Sequence, residues 1–419
     1  MTSGRISGKR RDDEGIREAA LFTFLDPLPN QCSLLLDLSQ REWNRLLRWL
    51  DISGLALYFL DRIVSLRITD WLPRTVFERL QQNLFDNTRR TESMIAESTA
   101  IQAGFQAATL SYANLKGLSY WPASVPNPVL RSQFDLDFLV AEASAPAARE
   151  ILERRGYRLY AVSGRSWEFK LNAEPWIPLK NLYKDTPSRA VELHLESANA
   201  AQPLLERIEW RELAGISMPV LSPVDLFLGQ GLHVYKHVCG EFFRVAHLLE
   251  FRRHVLARYN DVNFWSELRA VAYDSPRARL GLGVVILLLT HVMGEFAPAE
   301  LTEWTVQSLP DTARLWITMY GRRAVLGSFP GSKFYLLLQR ELQASGVATK
   351  RSVRESLLPA RLPPPVTRAA RDERPFLRVR RHLVQLHFVF SRLRFHFVEG
   401  VRYIWQSHRW QKQLNRIAR

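Results

Sequence analysis

The chain has 419 residues, 47% hydrophobic and 11% aromatic, with 57 Lys and Arg against 42 Asp and Glu for a formal net charge of +15. That apolar content supports a sizeable core, and the length suits two or three domains. Only two cysteines occur, Cys32 and Cys239, which argues against a disulfide framework and against a cysteine-rich zinc site.

The opening MTSGRISGKRRDDEG is polar and charged, so residues 1–15 are expected to be disordered. No apolar segment follows it as a secretory signal would require, and a cytoplasmic protein is the expectation. Residues 16–111 read as a helical region. From Cys32 to about Arg67 apolar residues recur at spacings of three and four, which predicts amphipathic helices, and a longer helix is expected over roughly Thr75 to Ser111.

The texture changes over 112–222. Short apolar or alternating runs are separated by Pro, Gly, Asn and Asp, which predicts strands at about 112–116, 134–140, 157–162, 166–171 and 190–195. One helix is expected near Ala145 to Arg155, with Gly156 as its C-cap. Ser222 and Pro223 then open a new helix as N-cap and first helical residue, with Asp225 in the first turn, and helices continue over 223–345. The longest apolar run, Leu280 to Met293, holds two glycines and His291 and falls short of the ~20 residues that span a bilayer, so a buried helix is expected. Pro359 and Pro363 to Pro365 mark a linker inside a C-terminal extension, 346–419. From Ala348 onward there are 17 Lys and Arg against 4 Asp and Glu, which places +13 of the net charge there and leaves +2 for the first 347 residues. A final helical stretch over about 376–417 is expected to turn Phe and Trp toward the body and Arg outward. Such a surface suits an anionic partner, either nucleic acid or a membrane surface.

The densest chemistry lies at 115–140. Asp135 and Asp137 stand two apart on an expected strand and share one face, while Phe134, Leu136, Phe138 and Val140 share the other. Adjacent carboxylates repel unless a cation lies between them, so the pair is a natural holder for Mg²⁺. Upstream, Lys116-Gly117 forms a turn whose glycine lets backbone approach a phosphate closely, and Arg131 is placed to reach the same phosphates. In Val191-Glu192-Leu193-His194-Leu195-Glu196 the alternation puts Glu192 and His194 on one face. If this strand lies beside that of Asp135, Glu192 becomes the third carboxylate, as metal ligand or general base, with His194 next to it. His233 and His237, at i and i+4, also have a zinc-ligand spacing.

The Leu-Lys-Gly turn, Arg131, the Phe134–Val140 strand and the Val191–His194 strand together resemble the nucleotidyltransferase superfamily related to DNA polymerase beta. The closest resemblance is to its bacterial branch of uncharacterised nucleotidyltransferases. Leu221-Ser222-Pro223-Val224-Asp225-Leu226 followed by His233-Val234-Tyr235-Lys236-His237 resembles that branch as well, and the likeness covers about residues 100–255. It implies an α+β fold, a small mixed-sheet nucleotidyltransferase core flanked by N-terminal and C-terminal helical regions. It also implies Mg²⁺, an NTP donor, Asp135, Asp137 and Glu192 as metal-binding catalytic carboxylates, and Lys116, Gly117, Arg131, His194, Lys236 and His237 toward substrate. The acceptor remains open among a small metabolite, a sugar, a protein and an RNA end. The alternative is a non-catalytic protein of the same fold that binds nucleic acid or an acidic partner through its basic tail.

Overall fold

The computed structural model describes residues 12–172, 179–186, 189–200, 202–213, 215–345, 353–358 and 375–417. Residues 1–11 of the expected disordered start and the Pro359–Pro365 linker lie outside them, but Asp13, Glu14 and Gly15 are helical, because the Asp12 side chain caps α1 by accepting from the Glu14 amide.

Four α-helices precede the sheet: α1 (Asp13–Phe22), α2 (Gln40–Ser53), α3 (Ala56–Ser65) and the 34-residue α4 (Arg74–Ala107). Ser39 and Glu42 close a capping box at the start of α2, and Gly54 ends that helix in the left-handed region at φ +76°. The strands are β1 (Tyr112–Leu115), β2 (Asp135–Ala141), β3 (Arg158–Ser163), β4 (Ser166–Leu171), β5 (Arg189–Glu196), β6 (Ile208–Leu213) and β7 (Ile216–Leu221), and α5 (Ala145–Arg154) lies between β2 and β3. They form one mixed sheet in the order β3-β4-β5-β2-β1-β7-β6. The β2–β5 and β1–β7 pairs are parallel and the others antiparallel. The first five strands fall where alternation predicts them. β6 and β7 carry no such signal, because β6 exposes Trp210 and β7 contains Pro219, a residue that weakens any strand assignment.

Strand alternation decides which side chains face the chemistry. Leu136, Phe138 and Val140 of β2 and Val191, Leu193 and Leu195 of β5 pack in a buried cluster with Ile101 and Phe105 of α4 and Leu152 of α5. Glu192 and His194 take the opposite face of β5.

After the sheet come α6 (Pro223–Val238), α7 (Val245–Ala257), α8 (Val262–Ala272), α9 (Pro276–Met293), α10 (Ala299–Thr305), α11 (Asp311–Trp316), α12 (Arg322–Leu326), α13 (Tyr335–Ala344), α14 (Val353–Leu357) and the 43-residue α15 (Pro375–Ile417). The Ser-Pro-x-Asp motif fastens α6 to the sheet. Ser222 accepts from the Asp225 amide, and Arg207 clamps the buried Asp225 carboxylate at 2.8 and 3.0 Å. α9 is long and apolar enough to cross a membrane, but Leu282, Val284, Val285, Ile286 and Leu288 are fully buried inside the protein, so it serves as a core helix.

The helices before and after the sheet share one core. Trp43, Leu50 and Phe59 belong to the same buried cluster as Phe227, Phe251, Trp316 and Leu337. α15 joins it near its C-terminal end, where Trp410 is fully buried, lies beside Tyr320 and donates to Glu341 at 3.1 Å. The expected inward turn of the aromatics holds for Phe395, Tyr403 and Trp410. It does not hold for Phe376, Phe390, Phe397 and Trp405, which are exposed.

Candidate active site

Parallel pairing of β2 with β5 sets Asp137 opposite Glu192 and Leu139 opposite His194. The donor atoms of Asp137, Glu192 and His194 all lie within 4.8 Å of one another. His194 Nε2 is 3.0 Å from Asp137 Oδ1 and 3.4 Å from Glu192 Oε2. Ser166 of β4, across the β4–β5 ladder, donates a hydrogen bond to Glu192 Oε1. Asp135 and Glu192 line a cavity of about 220 Å³ with Ser163, Ser166 and Glu168.

Lys116 ends up inside this group. It has φ +48°, which turns the chain out of β1, and its Nζ donates to Asp137 Oδ1 at 2.6 Å, with Glu192 Oε2 at 3.6 Å and His194 Nε2 at 3.3 Å. The ammonium supplies the positive charge that three neighbouring carboxylates need. Gly117 follows at φ +43° and opens a short 3₁₀ turn, Gly117–Tyr120. A side chain there would meet Gln133 Nε2 at 2.1 Å, and Gln133 in turn donates to the Asp135 carbonyl at 2.7 Å. The glycine therefore leaves room for the residue that supports the start of β2.

Charge and burial push these groups apart. Burial, reinforced by the Asp137 charge, raises Asp135 to about 6, while Lys116 and Arg131 oppose the shift. The hydrogen bond from His194, with those from Ser166 and the charge of Lys116, holds Glu192 well below the carboxylate range. His194 is raised: burial opposes its charge, but hydrogen bonds to Asp137 and Glu192 prevail. Lys116 is raised likewise, the Asp137 carboxylate outweighing burial.

The other expected residues take other partners, although the charge of Arg131 reaches Asp135 and that of Lys116 reaches His237. Arg131, expected at the phosphates, is buried and its Nε bonds Glu250 of α7 at 3.1 Å, a carboxylate that also accepts from Tyr58 of α3 at 2.9 Å. An ion pair this deep holds its partners firmly, because separating them strands a buried charge. Lys236 points to solvent. His237 packs against His233 and His247, away from the carboxylate cluster's hydrogen bonds. Ser166 and Gln133 escaped the sequence, since a serine or glutamine next to a turn or strand end carries no pattern of its own.

A profile of the family described as uncharacterised nucleotidyltransferases matches residues 39–294, more than half of the chain. The chain belongs to this family. A search of the curated proteins finds no match. Among solved structures, the solution structure of antibiotic-resistance factor ANT(2'')-Ia aligns at 13% identity and a TM-score of 0.31, covering 44% of this chain and 91% of its own. The crystal structure of ANT(2")-Ia in complex with adenylyl-2"-tobramycin aligns at 12% identity and 0.32, covering 43% and 96%. An antigenic nucleotidyltransferase-like protein from Paracoccidioides brasiliensis aligns at 12% and 0.29, covering 52% and 97%. Likenesses this distant support no inference about the substrate of this family member.

Proposed function

We propose that this nucleotidyltransferase family member moves a nucleotidyl group from an NTP to a nucleophilic acceptor with Mg²⁺. The supporting observation is the convergence of Asp137, Glu192 and His194 on adjacent parallel strands, with Asp135 two residues from Asp137 and lining the same cavity as Glu192. The donor set fits the ion, since carboxylate oxygens are what Mg²⁺ takes from protein. Asp135, Asp137 and Glu192 would hold it, and when bound it would neutralise and orient the phosphates of the NTP. Glu192, kept ionised by His194 and Ser166, suits the part of a metal ligand, since a carboxylate held so low is a poor base for the acceptor hydroxyl. Lys116, which now pairs with Asp137, would be released toward a phosphate oxygen once a metal takes over its charge-balancing role. The test incubates the full chain with each α-labelled NTP, with and without Mg²⁺, and follows label transfer to protein, RNA and small-molecule pools. Asp137→Asn or Glu192→Gln should lower transfer by on the order of 10³-fold with the fold intact. Full transfer by the double variant refutes the assignment, and absence of any metal-dependent NTP turnover favours the non-catalytic alternative.

α15 favours one partner class for the basic segment. Phe376, Leu383, Leu386, Phe390, Leu393 and Phe397 recur at helical spacing and are 52% to 76% exposed, while Phe395, Tyr403 and Trp410 on the other side are buried against the body. Exposed Arg378, Arg380 and Arg394 accompany the stripe, and no Asp or Glu occurs between Glu373 and Glu399. A wide apolar stripe, half Leu and half Phe, with arginines and no acid suits insertion into an anionic bilayer surface better than the cationic groove that nucleic acid calls for. Like charge along the helix also opposes pairing with a second copy. Sedimentation of the full chain with phosphatidylglycerol–phosphatidylcholine vesicles checks this. Binding should vanish on pure phosphatidylcholine and in a Phe390→Asp, Phe397→Asp variant. RNA binding without vesicle binding would overturn it.

A further inference from the structure

Outside the carboxylate cluster, three histidines converge where α6 meets α7. His233 and His237 lie one turn apart on α6, and His247 is the third residue of α7. Their ring centroids are 4.5 Å (His233–His237), 5.2 Å (His233–His247) and 5.2 Å (His237–His247) apart. One ring nitrogen from each lies within 4.8 Å of the other two. The His247 ring is buried, and its Nδ1 has no hydrogen-bond partner among the described residues. An unmet buried nitrogen costs about 1–3 kcal/mol, so an orphan on a ring packed against two further imidazoles needs a reason beyond ring packing.

We propose that His233, His237 and His247 form a binding site for one divalent transition-metal ion, with Zn²⁺ the best match. Three imidazoles from two helices leave a fourth position open, the arrangement of a zinc site that keeps a water or takes an anionic group. Imidazole nitrogen selects Zn²⁺ and its neighbours in the first transition row over Mg²⁺, so the site is chemically separate from the carboxylates. The histidines are also in the ligating form. Burial first, then the charges of surrounding Lys and Arg, keep all three imidazoles neutral. Of the cations responsible, Lys116 is held by Asp137, Arg131 by Glu250 and Arg244 by Ser132 Oγ at 2.6 Å, while Lys236 is exposed to solvent. Zn–N bonds of about 2.0–2.1 Å at tetrahedral angles set ligand nitrogens roughly 3.4 Å apart, inside the 4.8 Å within which these three lie. The site stands apart from the nucleotidyl-transfer reading and survives or fails without it.

The test titrates metal-free full-length protein with Zn²⁺ alone by calorimetry, in a background carrying Asp137→Asn and Glu192→Gln so that the carboxylate cluster cannot take the ion. Co²⁺ reports the ligand field through its visible absorption. One equivalent should bind with the intense bands of a four-coordinate ion. His237→Gln and, separately, His247→Gln should each weaken Zn²⁺ by at least about 100-fold, since even outer-shell partners of a metal are worth 10- to 100-fold. His237 is only half-buried, so that variant should keep the parent circular dichroism even if His247→Gln fails to fold. Failure of the background protein to bind one equivalent of Zn²⁺, or binding undiminished by His237→Gln in a folded protein, overturns the proposal. Because the background lacks the catalytic carboxylates, neither result bears on nucleotidyl transfer.

Discussion

Replacing Asp135 by Asn should make the metal-free protein more stable at neutral pH while removing activity. Asp135 stands two residues from Asp137, half-buried at the cavity, and burial with the Asp137 charge raises its carboxyl from the usual 3.8 to about 6. Each unit is worth 1.36 kcal/mol, so the ionised side chain costs the fold about 3 kcal/mol. The sign follows from proton binding. Between pH 4 and 6 the native state keeps a proton that the unfolded chain has lost, so wild-type stability falls as pH rises through that window and then levels off. Asn does not titrate and matches the shape of the protonated acid. The excess stability of Asp135→Asn should therefore be near zero at pH 4, grow across the window and reach its full value above pH 6. Denaturant unfolding in EDTA at pH 4, 5, 6 and 7.5 measures it. Saturating Mg²⁺ should shrink the difference, because the ion stabilises only the wild-type carboxylate pair. A pH-independent difference, or a variant less stable than wild type at pH 7.5 in EDTA, would refute the charge argument and assign the effect to packing.

Lys116→Met removes the cation from a carboxylate that is nearly inaccessible, so it should destabilise metal-free protein by about 3 kcal/mol, and added Mg²⁺ should restore more stability than it gives wild type. Unfolding with and without Mg²⁺ checks both. Gly117→Ala combines a left-handed φ with a clash on Gln133, and should cost about 1–2 kcal/mol from the backbone alone; a double-mutant cycle with Gln133→Ala should recover the steric part and leave the backbone part. Trp410→Ala opens a cavity beside Tyr320 and Glu341 and should cost about 3–5 kcal/mol in thermal unfolding, whereas Trp405→Ala, on an exposed ring, should be nearly neutral.

Period-two patterning made β2 and β5 legible before any coordinates, and with them the shared face of Glu192 and His194. Their adjacency could be set only as a condition, which the parallel pairing of β2 with β5 meets. What could not be read depends on distant partners. Arg131 looks like a free cation until Glu250, 119 residues later, takes its guanidinium. Lys116 reads as a phosphate residue of a turn, and only the fold carries it into the carboxylates. His247 follows His237 by ten positions, a spacing with no meaning until α6 and α7 pack together. Pro219 hid β7: its carbonyl still accepts from Asn114 of β1 at 3.1 Å, although its missing N–H is what a sequence reader notices.

The core shared by helices on both sides of the sheet has a consequence for biogenesis. Trp43, Leu50 and Phe59 leave the ribosome well before their partners Phe227, Phe251 and Trp316 have been made. The sheet lies entirely between these two groups in the chain, so it can fold as an inserted excursion while the first helices wait with apolar faces uncovered. Closing that long loop sets the contact that completes the core, which slows folding and prolongs exposure to aggregation. A nascent chain stalled before α6 would thus present several large aromatic and aliphatic side chains to whatever holdase the cell supplies, and the seam between the first and last helices would be the final part of the molecule to become native.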